Sequence, residues 1–329
     1  MKARALTGYA LLFLLAALVS PWIGPEPVAT GDVLAYLSGE LQPAGEIFWH
    51  QRVPRVLLAL LAGGALAVVG ASFQVLFRNP LVEPFTLGIS GGAALGAFLT
   101  ISFPALWAVW GPFGSLQIFA VLGAAAALFL IQRLARSPGG MSVYTLLLAG
   151  VTISIICAGG ILLLTYLAEP NALVVFQRWM MGGLDILGFE QLLGILPLLL
   201  PGLGLLLFHA RDLNHIALSE DLALAQGVDV PMVRRNVFVG GGLATAAVVS
   251  LVGPIGFVGL IVPHAVRRLS GVDQRTVLPA AFLLGGAALA VCDTAARTVL
   301  APTELPVGIV TAILGGPLFI HLLISRRWR

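Results

Sequence analysis

The chain has 329 residues, of which 59% are hydrophobic and only 10% charged, with a formal net charge of +3. A soluble domain carries about 25% charged residues, so this composition excludes one. Apolar runs of about 20 residues recur along the whole length, each able to cross a bilayer as a helix. The chain therefore reads as an all-α polytopic membrane protein, residues 1–329 forming a single transmembrane domain.

Met1 to Ser20 has the outline of a signal peptide, with Lys2 and Arg4 ahead of an apolar stretch. No A-x-A-like cleavage site follows, so the segment is expected to stay as a first helix. Spans are expected near 5–23, 55–77, 85–103, 115–134, 143–167, 189–208, 236–253, 254–266, 277–297 and 305–325, ten in all. With the N-terminus inside, the cytoplasmic side receives Lys2, Arg4, Arg78, Arg133, Arg136, Arg211, Arg234, Arg235, Arg267, Arg268, Arg275, Arg326, Arg327 and Arg329. Only Arg52, Arg55, Arg178 and Arg297 fall outside, and this bias predicts an even number of spans with both termini cytoplasmic. A faint echo of Gly63-Gly64-Ala65-Leu66-Ala67 in Gly241-Gly242-Leu243-Ala244 suggests that spans two to five and seven to ten form an inverted repeat.

Between the spans, segment 24–50 carries Glu26, Asp32, Glu40 and Glu46 but no Lys or Arg. In the second and third spans, Gly63, Gly64, Gly70, Gly92 and Gly96 favour close helix approach, read as packing inside one subunit. Gly88-Ile89-Ser90-Gly91-Gly92 matches G-x-S-x-G, so an intramembrane serine protease is one alternative. A nucleophile needs a base in reach, and most of His50, His209, His215, His264 and His321 map to membrane ends. Cys157 and Cys292 lie inside apolar runs and read as small buried hydrophobes.

At 168–188, Pro170 and Asn171 are expected to start a short amphipathic helix that Gly182-Gly183 ends. On the cytoplasmic side, 209–235 is the longest polar stretch. Within it ALSEDLALAQGVDV predicts a two-turn helix: Ser219 as cap, Glu220 and Asp221 at the positive end of the dipole, and Leu222, Ala223, Leu224, Ala225 and Gln226 as body. Gly227 supplies the left-handed stop, and a preceding helix is expected to be capped by Asp212. A helix this short is unstable alone and must be held by packing or a partner.

Asp293 lies four residues before Arg297, which reads as an ion pair within the ninth span; a proton relay of an ion-coupled secondary transporter is the other use of a buried acid. Arg52 and Arg55 at the outer mouth of the second span are either anchors or, with Arg297, a patch for an acidic partner. Lys2 is the only lysine, so no Walker A loop exists and the chain is not itself an ATPase or other enzyme of that class.

Six blocks, RVPRVLLALLAGGALAVVGASFQVLFRNPLVEPFTLGISGGAALGA, YTLLLAGVTISIICAG, FQRWMMGGL, IALSEDLALAQGV, GPIGFVGLIVPHAVRRL and ELPVGIVTAILGGPLFIHLL, together resemble the permeases that import iron–siderophores, haem and vitamin B12. They run in order from about residue 50 to the C-terminus. The resemblance implies the permease subunit of a binding-protein-dependent ABC importer of a bulky metal chelate, with iron–siderophores favoured, in a bacterial or archaeal cytoplasmic (inner) membrane. It implies a homodimer, two cytoplasmic ATP-binding subunits that hold ATP and magnesium, and an extracytoplasmic binding protein. No cofactor or metal is expected on this chain, and no nucleic-acid partner. Arg52, Arg55 and Arg297 match the family arginines that meet the binding protein, and Ser219 to Gly227 fall in the loop that couples to the ATPase. The pathway is expected along 143–167, 171–180 and 305–325, with Val151, Ser154, Phe176, Trp179, Met180, Pro306 and Val307 as lining candidates.

Overall fold

The computed structural model describes residues 2–40, 42–111, 113–137 and 140–324. Arg326, Arg327, Arg329 and the end of the tenth expected span lie outside them. The chain opens with α1 (Lys2–Val19), then the short α2 (Thr30–Leu37) and α3 (Pro43–Ile47) within the acidic segment. A π-type turn at Phe48–Arg52 leads into α4 (Val53–Leu76), followed by α5 (Ile89–Ser102). A small hairpin, β1 (Val109–Trp110) with β2 (Phe113–Gly114), precedes α6 (Ser115–Ala135). A second, β3 (Arg136–Ser137) with β4 (Gly140–Met141), precedes α7 (Val143–Leu167). Then come α8 (Pro170–Met180), α9 (Glu190–Phe208), α10 (Ala210–Leu218), α11 (Glu220–Ala225), α12 (Val230–Val252), α13 (Val258–Ser270), α14 (Gln274–Thr298) and α15 (Val307–Ile324).

Among the described residues, seven helical windows are long and apolar enough to cross a membrane: Ala5–Trp22, Pro43–Leu76, Ser115–Ala135, Val143–Leu167, Glu190–Phe208, Val230–Val252 and Gln274–Thr298. Ile89–Ser102 and Val307–His321 are apolar but shorter. The expected third span, 85–103, is shortened because Pro84–Leu87 forms a 3-10 turn and Gly88 sits in the left-handed region at φ 80°. The eighth, expected at 254–266, begins only at Val258, after Phe257 at φ 70°, and carries Arg267 and Arg268 in its last turn. Helix α8 forms as its sequence demands, with Pro170 in its first turn and Gly182 at φ 72° beyond its end.

Helix α4 is the buried centre, flanked by α14, α12 and α13. The packing has an internal symmetry: α4 lies on α14 as α12 lies on α6, α5 on α6 as α13 on α14, and α5 on α7 as α13 on α15. Glycines set the closest approaches. A Cβ on Gly285 would stand 2.5 Å from the Gly63 carbonyl oxygen, and one on Gly202 would stand 2.7 Å from that of Gly240. Gly92 and Gly96 both rest on the backbone of α6, the packing inside one subunit read from the sequence. The outward faces are leucine-rich: Leu11, Leu15 and Leu18 on α1 and Leu148, Leu162 and Leu163 on α7 are all exposed. Such surfaces belong against hydrocarbon or another subunit.

Candidate functional site

Helices α4 and α14 carry a polar assembly at each end. With 24 residues at 1.5 Å each, α4 separates them by about 36 Å. At one end stand Arg52, Arg55, Asp293 and Arg297; at the other are Arg78 and the segment Val272–Gln274, against α10.

The first assembly is organised by Asp293, which is fully buried. Arg55 Nε donates to its Oδ1 at 3.0 Å and Oδ2 at 3.2 Å, and Arg297 Nε donates to Oδ2 at 3.1 Å. The i,i+4 pair read from the sequence is thus present, with Arg55 added from α4. The rest of Arg297 is satisfied by the carbonyls of Ile23 at 3.1 Å and Ser20 at 3.4 Å. Arg52 turns inward as well, donating to the carbonyls of Pro21 and Glu26. A Cβ on Gly24 would collide with its guanidinium, 2.7 Å away, so the turn after α1 is moulded to this side chain. Arg52 is 5% exposed and Arg297 is 2% exposed. The patch expected from these three arginines is therefore largely internal.

Arg55 alone reaches outward. Its NH1 meets Glu304 Oε2 at 2.7 Å and Asp185 Oδ1 at 2.9 Å. Both carboxylates line, with Arg55, Arg178, Pro306 and Val307, a cavity of about 370 Å³. Glu304, Asp185 and Gly24 escaped sequence reasoning. Their only signal was acidic or turn-forming character, since loop closure decides which arginine they meet.

The second assembly holds α10 and α11 to the helical body. Asn214 Nδ2 donates to Asp273 Oδ1 at 2.8 Å, the Gln274 backbone N–H donates to Asn214 Oδ1 at 2.7 Å, and Arg78 donates to the Ile216 carbonyl at 3.1 Å. Leu213, Ile216 and Ala223 are buried beneath. Arg234 of α12 meets Glu220 at 2.8 Å. Two expected caps differ. Ser219 occupies the N-cap position of α11 with extended backbone, but its side chain makes no capping bond, and the backbone and Arg234 hold this turn. Asp212 lies inside the first turn of α10, where it bonds His209 Nδ1 at 2.7 Å, so the helix starts earlier. Gly227 takes φ 81°, as expected. Leu218, Leu222 and Leu224 stand 74%, 53% and 55% exposed, and Asp221 is exposed beside them; Ala225 and Gln226 complete that exposed face.

The pathway candidates divide. Val151 and Met180 are exposed, Ser154 is half-buried and bonds the Gly150 carbonyl, and Pro306 lines the cavity beside Arg55. Phe176 and Val307 are instead buried; Phe176 stacks on Phe98 at 3.9 Å, with Trp179 next to it at 6.4 Å. Glu83, between α4 and α5, accepts the Phe257 N–H at 3.3 Å; burial pushes its carboxyl up, and that bond opposes the rise. Ser90 Oγ is buried without a hydrogen-bond partner among the described residues, so no base activates it. A Ser90→Ala variant is expected to keep wild-type uptake within about twofold, measured in cells; an abolished signal at normal expression would restore the protease alternative.

The FecCD transport family matches residues 11–325. The haemin transport system permease of Yersinia pestis is 40% identical, covering 86% of this chain and 85% of that protein. The vitamin B12 import system permease of Klebsiella pneumoniae is 38% identical, covering 99% and 95%. A solved metal-chelate type ABC transporter in an inward-facing conformation is 30% identical and covers 99% of this chain and all of its own, with a TM-score of 0.84.

Proposed function

The chain belongs to the FecCD transport family, and from that premise we propose that it is the permease subunit of an ABC importer carrying a bulky metal chelate into the cytoplasm. Iron–siderophores, haem and vitamin B12 are the cargoes to assay. Ten spans with both termini inside, the inverted repeat and the homodimer complete this reading. The short α5, α13 and α15 count as spans because protein neighbours satisfy the backbone around them. The symmetric packing supports the repeat, and the apolar outward face of α7 supports the second copy.

The observation that carries the reading is the pair of assemblies at opposite ends of α4 and α14. A binding protein docks over Arg55, with Arg52 and Arg297 supporting it from beneath. On the cytoplasmic side a separate ATPase grips α10 and α11 through Leu218, Leu222 and Leu224, whose exposure in a charged loop suits a partner's groove. Motion of these helices reaches the body through Arg78, Asn214 and Arg234.

The ion-coupled alternative needs a carboxylate free to exchange protons, and Asp293 is clamped by two guanidiniums. Chelate uptake by proteoliposomes separates the two readings: the protein alone should show background uptake, and added ATPase, binding protein and ATP should raise it. Uptake by the protein alone under a proton gradient would refute the importer. Because Glu220 is tied to Arg234, Asp221 is the cleaner probe of coupling. Asp221→Arg should lower ATPase affinity about three- to tenfold without changing membrane insertion.

A further inference from the structure

The guanidinium of Arg55 is already engaged by three carboxylates of its own chain. Nε and NH2 are taken by Asp293, while NH1 carries both Glu304 and Asp185. The three carboxylates are not equivalent. Asp293 is fully buried on the neighbouring helix, whereas the side chains of Asp185 and Glu304 are 60% and 41% exposed. These two come from non-helical connections. Asp185 lies between α8 and α9, and Glu304 lies two residues before Pro306, where α15 is about to begin. The two connections are joined through the Gly308 N–H, which donates to the Gly182 carbonyl at 3.3 Å, and the Leu305 N–H ties the second of them to α14 through the Ala296 carbonyl at 3.0 Å.

We propose that Asp185 and Glu304 are internal stand-ins for a partner's carboxylate, forming a latch on Arg55 that closes the outer end of α15 and that docking opens by exchange. The proposal rests on the reading that an acidic binding protein docks at Arg55. NH1 has two hydrogens and already carries Glu304 and Asp185, so an incoming carboxylate that binds it must displace one of the exposed pair. Asp293 stays, since it has no access to solvent and also holds Arg297. Exchange releases the segment that leads into α15 and the one that ends α8, both of which border the outer cavity. Ion-pair number is conserved, so docking and undocking stay near balance while the loops change state. The latch also makes the free permease resist opening until a partner arrives, because among the described residues lining this cavity the one other cation is Arg178, which is exposed.

The test uses the full-length purified permease and the binding protein that restores chelate uptake with it in a permease-deficient strain. In an Asp185→Asn/Glu304→Gln variant, amide hydrogen exchange across 299–308 should quicken by about threefold or more. Its affinity for the binding protein should rise about threefold to tenfold, the scale expected for removing two half-exposed competing pairs. Arg55→Gln should weaken docking, and Arg55→Lys should restore part of it, which shows that loss is not misfolding. Unchanged exchange and unchanged affinity in the double variant, with Arg55→Gln still weakening docking, would overturn the latch and leave the docking reading standing. Docking that survives Arg55→Gln at full strength would overturn the docking reading and the latch with it.

Discussion

Replacing Asp293 by alanine should cost the protein most of its stability before it touches transport chemistry. The carboxylate is fully buried and holds Arg55 and Arg297 together. Its removal leaves two guanidiniums facing each other in a low-dielectric interior with one charge uncompensated. Removing one partner of a buried pair costs about 3–5 kcal/mol, which for a chain of this size corresponds to a fall in Tm of roughly 4–7 °C. Asp293→Asn should fare little better, because the amide keeps the shape but not the charge. A triple variant, Asp293→Asn with Arg55→Gln and Arg297→Gln, should recover part of the loss, since replacing all members by neutral groups removes the unpaired charges. The measurement is the Tm of detergent-purified protein, alongside uptake in proteoliposomes. Wild-type Tm in Asp293→Ala together with abolished uptake would point instead to a proton-carrying carboxylate, and the structural role assigned here would be wrong.

That contrast shows what the sequence could and could not disclose. The Asp293–Arg297 pair was legible because both residues sit on one helix at i,i+4 spacing. The third member was not, for Arg55 lies 238 positions away and meets Asp293 only because α4 packs on α14. Glu304 and Asp185 were harder still, since loop carboxylates carry no periodicity that points to a partner. Helix α8 was legible to within a residue because Pro170 and Gly182 act through local backbone geometry. The same local reasoning failed at Ser219 and Asp212. There, tertiary partners, Arg234 for Glu220 and His209 for Asp212, fix the first turns of two helices that are too short to stand alone.

Membrane topology behaved likewise. Apolar length identified the seven long windows directly. It could not resolve α5 or α13, where Gly88 and Phe257 in left-handed conformation replace the first turn of the expected span. In both places the departing backbone is covered by protein, Gly88 against the Gly150 carbonyl and Phe257 against Gly315, so hydrocarbon never sees its polar groups.

The largest effect from a single methyl group is expected at the crossing of α4 and α14. Gly63 lies eight residues after Arg55, and Gly285 lies eight residues before Asp293. In an antiparallel pair this sets the glycine contact about 12 Å below the ion cluster. A Cβ on either glycine runs into the other helix's backbone carbonyl, an obstacle that no rotamer change relieves. Gly63→Ala should therefore push the helices apart, lowering Tm by roughly 2–4 °C on the 1–3 kcal/mol typical of overpacking, and Gly63→Leu should abolish recovery of monodisperse protein. Gly204→Ala is the control: a Cβ there meets nothing within 4 Å, so helix propensity alone acts and Tm should hold or rise slightly. Because the helix pair also fixes Arg55 against Asp293, Gly63→Ala should in addition speed hydrogen exchange at 299–308, through loosening of Arg55 and the Glu304 it holds. Equal Tm values for Gly63→Ala and Gly204→Ala would mean that α4 and α14 do not cross at these glycines, and the placement of the Asp293 assembly would have to be redrawn.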